Sequence, residues 1–307
     1  MKKKNQLWLS EYYLSTNTQK VANYLRSRGV SLTLLRKLKQ NQAILVNGTV
    51  VKTNYLLQCG DHLEVLALDE EPGLPAEKIP LDIIYADDYL LAVNKPAGMV
   101  AHPVKHYTNG TLANALAYHL CQDGQSRQVR LLHRLDKDTS GLLLVSLNPI
   151  VHHHLVRDLQ NQRIHRIYWG FVQGKLPSAG SINAPLDLVA PGAVQRQVNS
   201  QGKPAITHYK TLKCWNEEAS LAEITLETGR THQIRVHMAH IGHPLLGDQL
   251  YGQQNSAGPI NRQALHAKKL VFTHPVSKKT LTLEAPLPED LSRLTRLFEH
   301  YTELRLW

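Results

Sequence analysis

The apolar positions change period along the chain, and each change marks an element. Across residues 18–28, Val21, Tyr24 and Leu25 fall at i, i+3 and i+4, one face of a helix, and Gly29 is placed to stop it. Ser31 can cap a second helix over residues 32–40, with Leu34, Leu35 and Leu38 inward and Arg36, Lys37 and Lys39 outward. Residues 43–51 then read as a hairpin about Asn47-Gly48, a pair that tolerates positive φ. A further strand follows Gly60 at residues 62–66. Two helices and a small sheet predict a compact module at residues 16–68, preceded by a basic extension at residues 1–15.

Residues 69–80 are acidic and hold three prolines and a glycine, a composition that predicts an inter-domain linker. Beyond it the pattern turns to short β-rich runs at 81–86, 89–94, 142–147, 167–173, 205–213, 221–227, 268–273 and 280–285. Helical spacing is confined to 111–120, 149–160 and 232–241. Strands outnumber helices and do not alternate regularly with them. The expected fold of residues 81–307 is therefore α+β with a mixed, largely antiparallel sheet around a central cleft, not a doubly wound one. No internal repeat is visible.

Composition narrows the class. Hydrophobic residues make up 42% and charged residues 20% of the 307, enough apolar material for a sizeable core. No window approaches the ~20 consecutive apolar residues of a membrane-spanning helix, so no membrane partner is expected. Lys2, Lys3 and Lys4 resemble the start of a secretory signal, but Ser10 and Glu11 break the apolar run and no small-residue cleavage site follows. Three scattered cysteines, Cys59, Cys121 and Cys214, build no disulfide framework or paired zinc site; a reducing cytoplasm is expected.

The net charge of +10 is unevenly placed. Residues 1–68 carry ten Lys/Arg against three acids, a net +7, which leaves +3 for the remainder. A concentrated basic segment suits a phosphate-backbone partner, and a solvated face that aids solubility suits it equally.

Two polar clusters could carry chemistry. His133-Arg-Leu-Asp-Lys-Asp-Thr-Ser-Gly141 runs directly into the apolar Leu142–Leu147. A polar loop anchored by a buried strand can hold a side chain rigidly for catalysis; by composition alone an ion-paired turn explains it better. The second cluster runs from Gly229 to Pro244. On a helix, Gln233, Val236 and His240 would share one face and His232, Arg235 and Ala239 another, with a basic surface helix as the plainer reading. The seventeen histidines invite a metal reading at His152–His154 or at His237, His240 and His243. Steps of three residues rotate off one helix face by roughly 60° each, and no cysteine or carboxylate completes a set, so no metal site is expected.

His133–Gly141 resembles the signature of the RluA-type pseudouridine synthases. Asn94–Pro103 is similar to that family's first motif, Gly229–Arg235 with Gly247-Asp248 to its third, and Leu265-His-Ala with Phe272–Pro275 to its C-terminal part. In order, these cover about residues 80–290. Residues 16–68 resemble, more loosely, the small S4-like RNA-binding domain carried in front by many members. Two departures stand out: Val129–Leu132 lacks the Pro-Gly usual before the signature, and Trp169-Gly170 stands where a smaller or aliphatic residue is usual.

The resemblance implies isomerisation of uridine in RNA to pseudouridine, with no group added or removed and no cofactor or metal. It implies Asp136 as the reacting carboxylate, Arg235 as its cationic partner and Tyr168 as the active-site tyrosine. Without it, a half-buried strand tyrosine would be the better reading of Tyr168. It assigns Arg134 to the place of the flipped nucleotide. His133 and Arg230 are further RNA contacts, His133 being equally readable as a structural histidine. Asp138, two residues after Asp136, is expected to order the loop. Arg36, Lys37 and Lys39 would grip phosphates. The expected partner is structured RNA, ribosomal first and transfer RNA second, bound by a monomer. A non-catalytic RNA-binding assembly protein and a metal-dependent nuclease are the rival classes.

Overall fold

The computed structural model describes residues 7–68, 70, 73–105, 107–122, 127–252 and 260–304, the side chains of 301–304 excepted. Lys2, Lys3 and Lys4 of the expected extension, and Asp69, Glu71 and Pro72 of the expected linker, lie outside the described residues.

The front of the chain contains β1 (Leu7–Tyr12), β2 (Gln19–Lys20), α1 (Val21–Ser27), α2 (Leu32–Gln40), β3 (Ile44–Val46), β4 (Thr49–Val50), β5 (Leu56–Leu57) and β6 (His62–Leu66). Ser31 caps α2, accepting from the Leu34 N–H, while Leu35 and Leu38 turn inward and Arg36, Lys37 and Lys39 stay exposed. The sheet runs β1-β6-β3-β4. Residues 7–12 are therefore not a free extension: Tyr12 pairs with His62, and Trp8 is buried in the module's own core. The partner strand lies some fifty residues further on, beyond the reach of a local pattern.

The rest of the chain holds β7 (Ile83–Ala86), β8 (Leu90–Lys95), α3 (Leu112–Leu120), β9 (Arg130–Leu131), β10 (Ser140–Ser146), α4 (Pro149–Gln160), β11 (His165–Gln173), β12 (Ala179–Asn183), β13 (Leu186–Leu188), β14 (Arg196–Val198), β15 (Ile206–Trp215), β16 (Ala219–Leu226), α5 (Gln233–His240), β17 (Leu265–Thr273), β18 (Thr280–Glu284) and α6 (Glu289–Leu304). Its main sheet runs β12-β15-β16-β11-β17-β10-β8-β7, with β18 added to β17 and β9 to β10. Among the described residues its pairings are antiparallel except β10 with β17, so the fold is α+β with a mixed, largely antiparallel sheet.

The continuous apolar run of β10 is explained by burial on both faces. Leu143 and Val145 join Tyr168 and α3 on one side, while Leu142 and Leu144 join Phe272 on the other. A capping box between Thr111 and Asn114 starts α3. Helix α4 is shared: Val151 and Leu155 cover the main sheet, whereas Ile150 packs into the front module's core. Asn148 caps α4 through the Val151 N–H at 2.8 Å, and its amide donates to the Trp8 carbonyl at 3.3 Å.

Candidate active site

The signature loop is pinned before it reacts with anything. Leu132 and Leu135 sink into the cores on opposite faces of the sheet. The Thr139 N–H donates to the Asp136 carbonyl at 3.1 Å, closing a turn. The Lys95 ammonium, buried at the end of β8, donates to the carbonyls of Pro96, Met99 and Lys137 at 2.8, 2.8 and 2.9 Å. Burial pulls Lys95 down to about 7, against the charges of Asp138 and Asp136, which pull it up. The Arg262 guanidinium, held by both oxygens of Asp290, donates to the Asp138 carbonyl at 3.0 Å, and Gln263 donates to the Thr139 hydroxyl. What is held here is the Asp138 backbone carbonyl, not its carboxylate. At the strand junction Gly141 has φ +113°, and a Cβ there would lie 2.3 Å from the Ala267 carbonyl oxygen. Only glycine permits the parallel contact of β10 and β17 at this point.

These bonds hold the backbone and leave the Asp136 carboxylate pointing into a cleft of about 830 Å³. Arg235 reaches it from α5, with Nη1 3.6 Å from Asp136 Oδ2. The tighter partner of Arg235 is Asp248, whose two oxygens accept from Nε and Nη2 at 2.7 Å each. Burial opposes the charge on Arg235, but Asp248 and then Asp136 outweigh it and raise its pKa. Tyr251 lies beneath the guanidinium and hydrogen-bonds His232, which starts α5 in the left-handed conformation. The clamp is therefore rigid, and Asp136 faces an oriented cation without being locked to it.

Tyr168 rises from β11 on the other side of the cleft. It is buried, and burial, with Asp136 adding, pushes its phenol above the usual tyrosine value. It is a protonated group at neutral pH. The neighbouring departures are accommodated: Trp169 packs on the opposite face near Lys268, and a Cβ at Gly170 would press on Ile224 and Leu245 in the core. Residues Arg130 and Leu131, where Pro-Gly is missing, pair with β10 as β9.

The other expected site residues divide. Arg134 and Arg230 are exposed and line the cleft, with Arg230 Nε donating to the Pro204 carbonyl. His133 also lines it but is buried; that burial, aided by the Arg166 charge, holds its pKa down at about 3, so it is neutral. Arg36, Lys37 and Lys39 stand apart, on α2 of the front module. Helix α5 is buried on nearly all sides and is not a surface helix, because Gln233 and His237 find partners inside: His237 bonds the Thr207 hydroxyl and the Ala184 carbonyl. Among the described residues no group of three His, Cys, Asp or Glu is placed to hold a metal ion. Sequence reasoning missed Lys95, Arg262 and the clamping role of Asp248. Lys95 and Asp248 lie inside stretches similar to the family's motifs, and that was their only signal.

Residues 89–240 match the family model of the RNA pseudouridylate synthases. The chain is 40% identical over 261 residues to an uncharacterized RNA pseudouridine synthase, YhcT, of Bacillus subtilis, covering 84% of this chain and 86% of the relative. It is 39% identical over 263 residues to the ribosomal large subunit pseudouridine synthase D of Haemophilus influenzae, covering 80% and 81%. Among solved structures, human RNA pseudouridylate synthase domain containing 1 superposes with a TM-score of 0.56 at 26% identity, over 73% of this chain and 97% of that one. The Asp136 carboxylate and its clamped arginine thus sit in a chain whose likeness to these enzymes spans most of both partners, and the chain belongs to the RluA-type family of RNA pseudouridine synthases.

Proposed function

We propose that Asp136, Tyr168 and Arg235 are the catalytic residues of this RNA pseudouridine synthase and that its target lies in large-subunit ribosomal RNA. The observation that carries the first part is the Asp136 carboxylate, without a hydrogen bond among the described residues yet fixed by its own backbone, 3.6 Å from a clamped guanidinium. In the reaction the bond from ribose C1′ to uracil N1 breaks, the base turns, and C1′ joins C5. A proton leaves C5 and one is gained at N1, so the atoms balance without a donor. Asp136 supplies the negative charge needed beside the sugar–base junction. Arg235 stands opposite that charge, and the neutral Tyr168 packs on the base and can carry the proton.

A uridine in folded RNA must leave its stack to reach Asp136, at a cost of a few kcal/mol. The exposed Arg134, at the mouth, is suited to fill the gap it leaves. The ribosomal target is supported by the relatives named as large subunit enzymes, from several bacteria. The S4-like front module would add non-specific grip through Arg36, Lys37 and Lys39.

The test is carbodiimide mapping of pseudouridines in total RNA from cells with and without the protein. One or more ribosomal sites should vanish without it and return with the wild-type gene, but not with Asp136→Asn. A site in transfer RNA instead would overturn the target, and full activity of Asp136→Asn would overturn the catalytic assignment.

A further inference from the structure

Arg166 is a buried cation of the cleft that no described carboxylate pairs. It lies on β11, on the same side of the strand as Tyr168, and is 9% exposed. Its sole hydrogen bond among the described residues runs from Nη2 to the Thr228 carbonyl at 3.3 Å. Its buried Nε has no partner, and no described carboxylate lies within ion-pair range. Glu227, an acid of the cleft wall, is taken by His208 at 2.6 Å. The contrast with Arg235 is direct, since that buried guanidinium is forked by Asp248.

Two neighbours make this a built site. Both ring nitrogens of the buried His133 are also unpartnered, and His133 lies close enough to feel the Arg166 charge. Gly229, at the rim, leaves one edge of the guanidinium uncovered: a Cβ there would stand 3.0 Å from Nη1. A buried guanidinium without a counter-charge is costly to a fold, and the cost is recovered when an anion arrives. Its planar fork fits the paired oxygens of a phosphate, and a neutral imidazole adds one N–H donor beside it.

We propose that Arg166, with His133, binds a backbone phosphate flanking the flipped uridine and so positions the sugar–base bond over Asp136. This rests on the proposed catalytic site and adds an anchor to it. Arg134 would fill the stack that the nucleotide leaves, whereas Arg166 would hold the nucleotide that has arrived. The phosphate brings a full charge to a full charge.

The test uses the full chain and a synthetic RNA carrying the mapped uridine, with neutral methylphosphonate at the 5′ or 3′ linkage. Arg166→Gln should weaken RNA binding by about ten- to a hundredfold, carried by KM, and Arg166→Lys should recover part of it. For the wild type, methylphosphonate at one of the two linkages should impose a similar penalty. In Arg166→Gln that linkage should cost little more, a coupling that a merely misfolded variant would not show. Equal RNA affinity of Arg166→Gln and wild type overturns the proposal. So do undiminished methylphosphonate penalties in the variant, which would place Arg166 on the base. If wild-type protein forms no pseudouridine at all, the catalytic reading fails instead, and the binding coupling still decides the role of Arg166.

Discussion

Asp136, Tyr168 and Arg235 could be marked from the chain because each sits in a short stretch with its own recognisable neighbours. Their supports could not be. Lys95 holds the Lys137 carbonyl from 42 positions away, and Arg262 holds that of Asp138 from 124. No local pattern couples such positions, and a lysine at a strand end reads as solvated until its ammonium is found buried. Two histidines carry a pH prediction at this scale. Burial holds His133 down at about 3, with Arg166 adding, and His266 at about 4, with Lys268 and Arg262 adding. The unfolded chain, with histidines near 6.5, therefore binds more protons below that pH. The stability these residues give is complete above about 6.5 and is lost as the pH falls towards 4, by about 1.4 kcal/mol per unit for each. Urea unfolding at pH 7, 6 and 5 should follow that slope. His266→Asn, which can keep the bond to Ser140 now made at 2.9 Å, should flatten it by one histidine's share.

At the scale of elements, runs with a strong period are legible and non-local pairings are not. The helix at 149–160 and the capped helix at 32–40 follow directly from apolar spacing and a start signal. Helix α6 goes beyond the expected helices, although Leu291, Leu294 and Phe298 recur at i, i+3 and i+7, and it brings Asp290 under Arg262. The parallel contact of β10 and β17 joins residues some 126 positions apart, and Gly141 is its local trace. Gly141→Ala should cost about 3 kcal/mol or more, since both the positive φ and the Ala267 carbonyl oppose it, and thermal melting would read the loss. The signature loop makes a second prediction. Lys95→Met leaves three carbonyls without their donor, so stability should fall by about 3 kcal/mol. Single-turnover activity should fall further than RNA binding, because Asp136 loses its fixed backbone.

At the scale of the molecule, charge separates two tasks. Residues 1–68 carry +7 of the net +10, while the cleft presents single arginines with distinct partners. If the front module grips phosphates, deleting residues 1–68 should weaken RNA affinity and flatten its salt dependence, each lost phosphate contact lowering the slope of log K against log salt by about 0.9. An unchanged slope would place the module's role elsewhere. The deletion also uncovers Ile150 and frees the Asn148 amide, so substituting Arg36, Lys37 and Lys39 together by Gln is the cleaner arm.

Helix α4, shared between the two cores, has a consequence for how a substrate could be chosen. A module on a loose tether would raise local concentration and tolerate any spacing between its two contacts. A module that shares a helix with the catalytic sheet holds its basic helix at a set span from Asp136, as the jaws of a caliper are set. An RNA would then be selected by the distance between a duplex surface and a flippable uridine. Inserting base pairs between those two points should abolish modification, although every nucleotide around the uridine is unchanged.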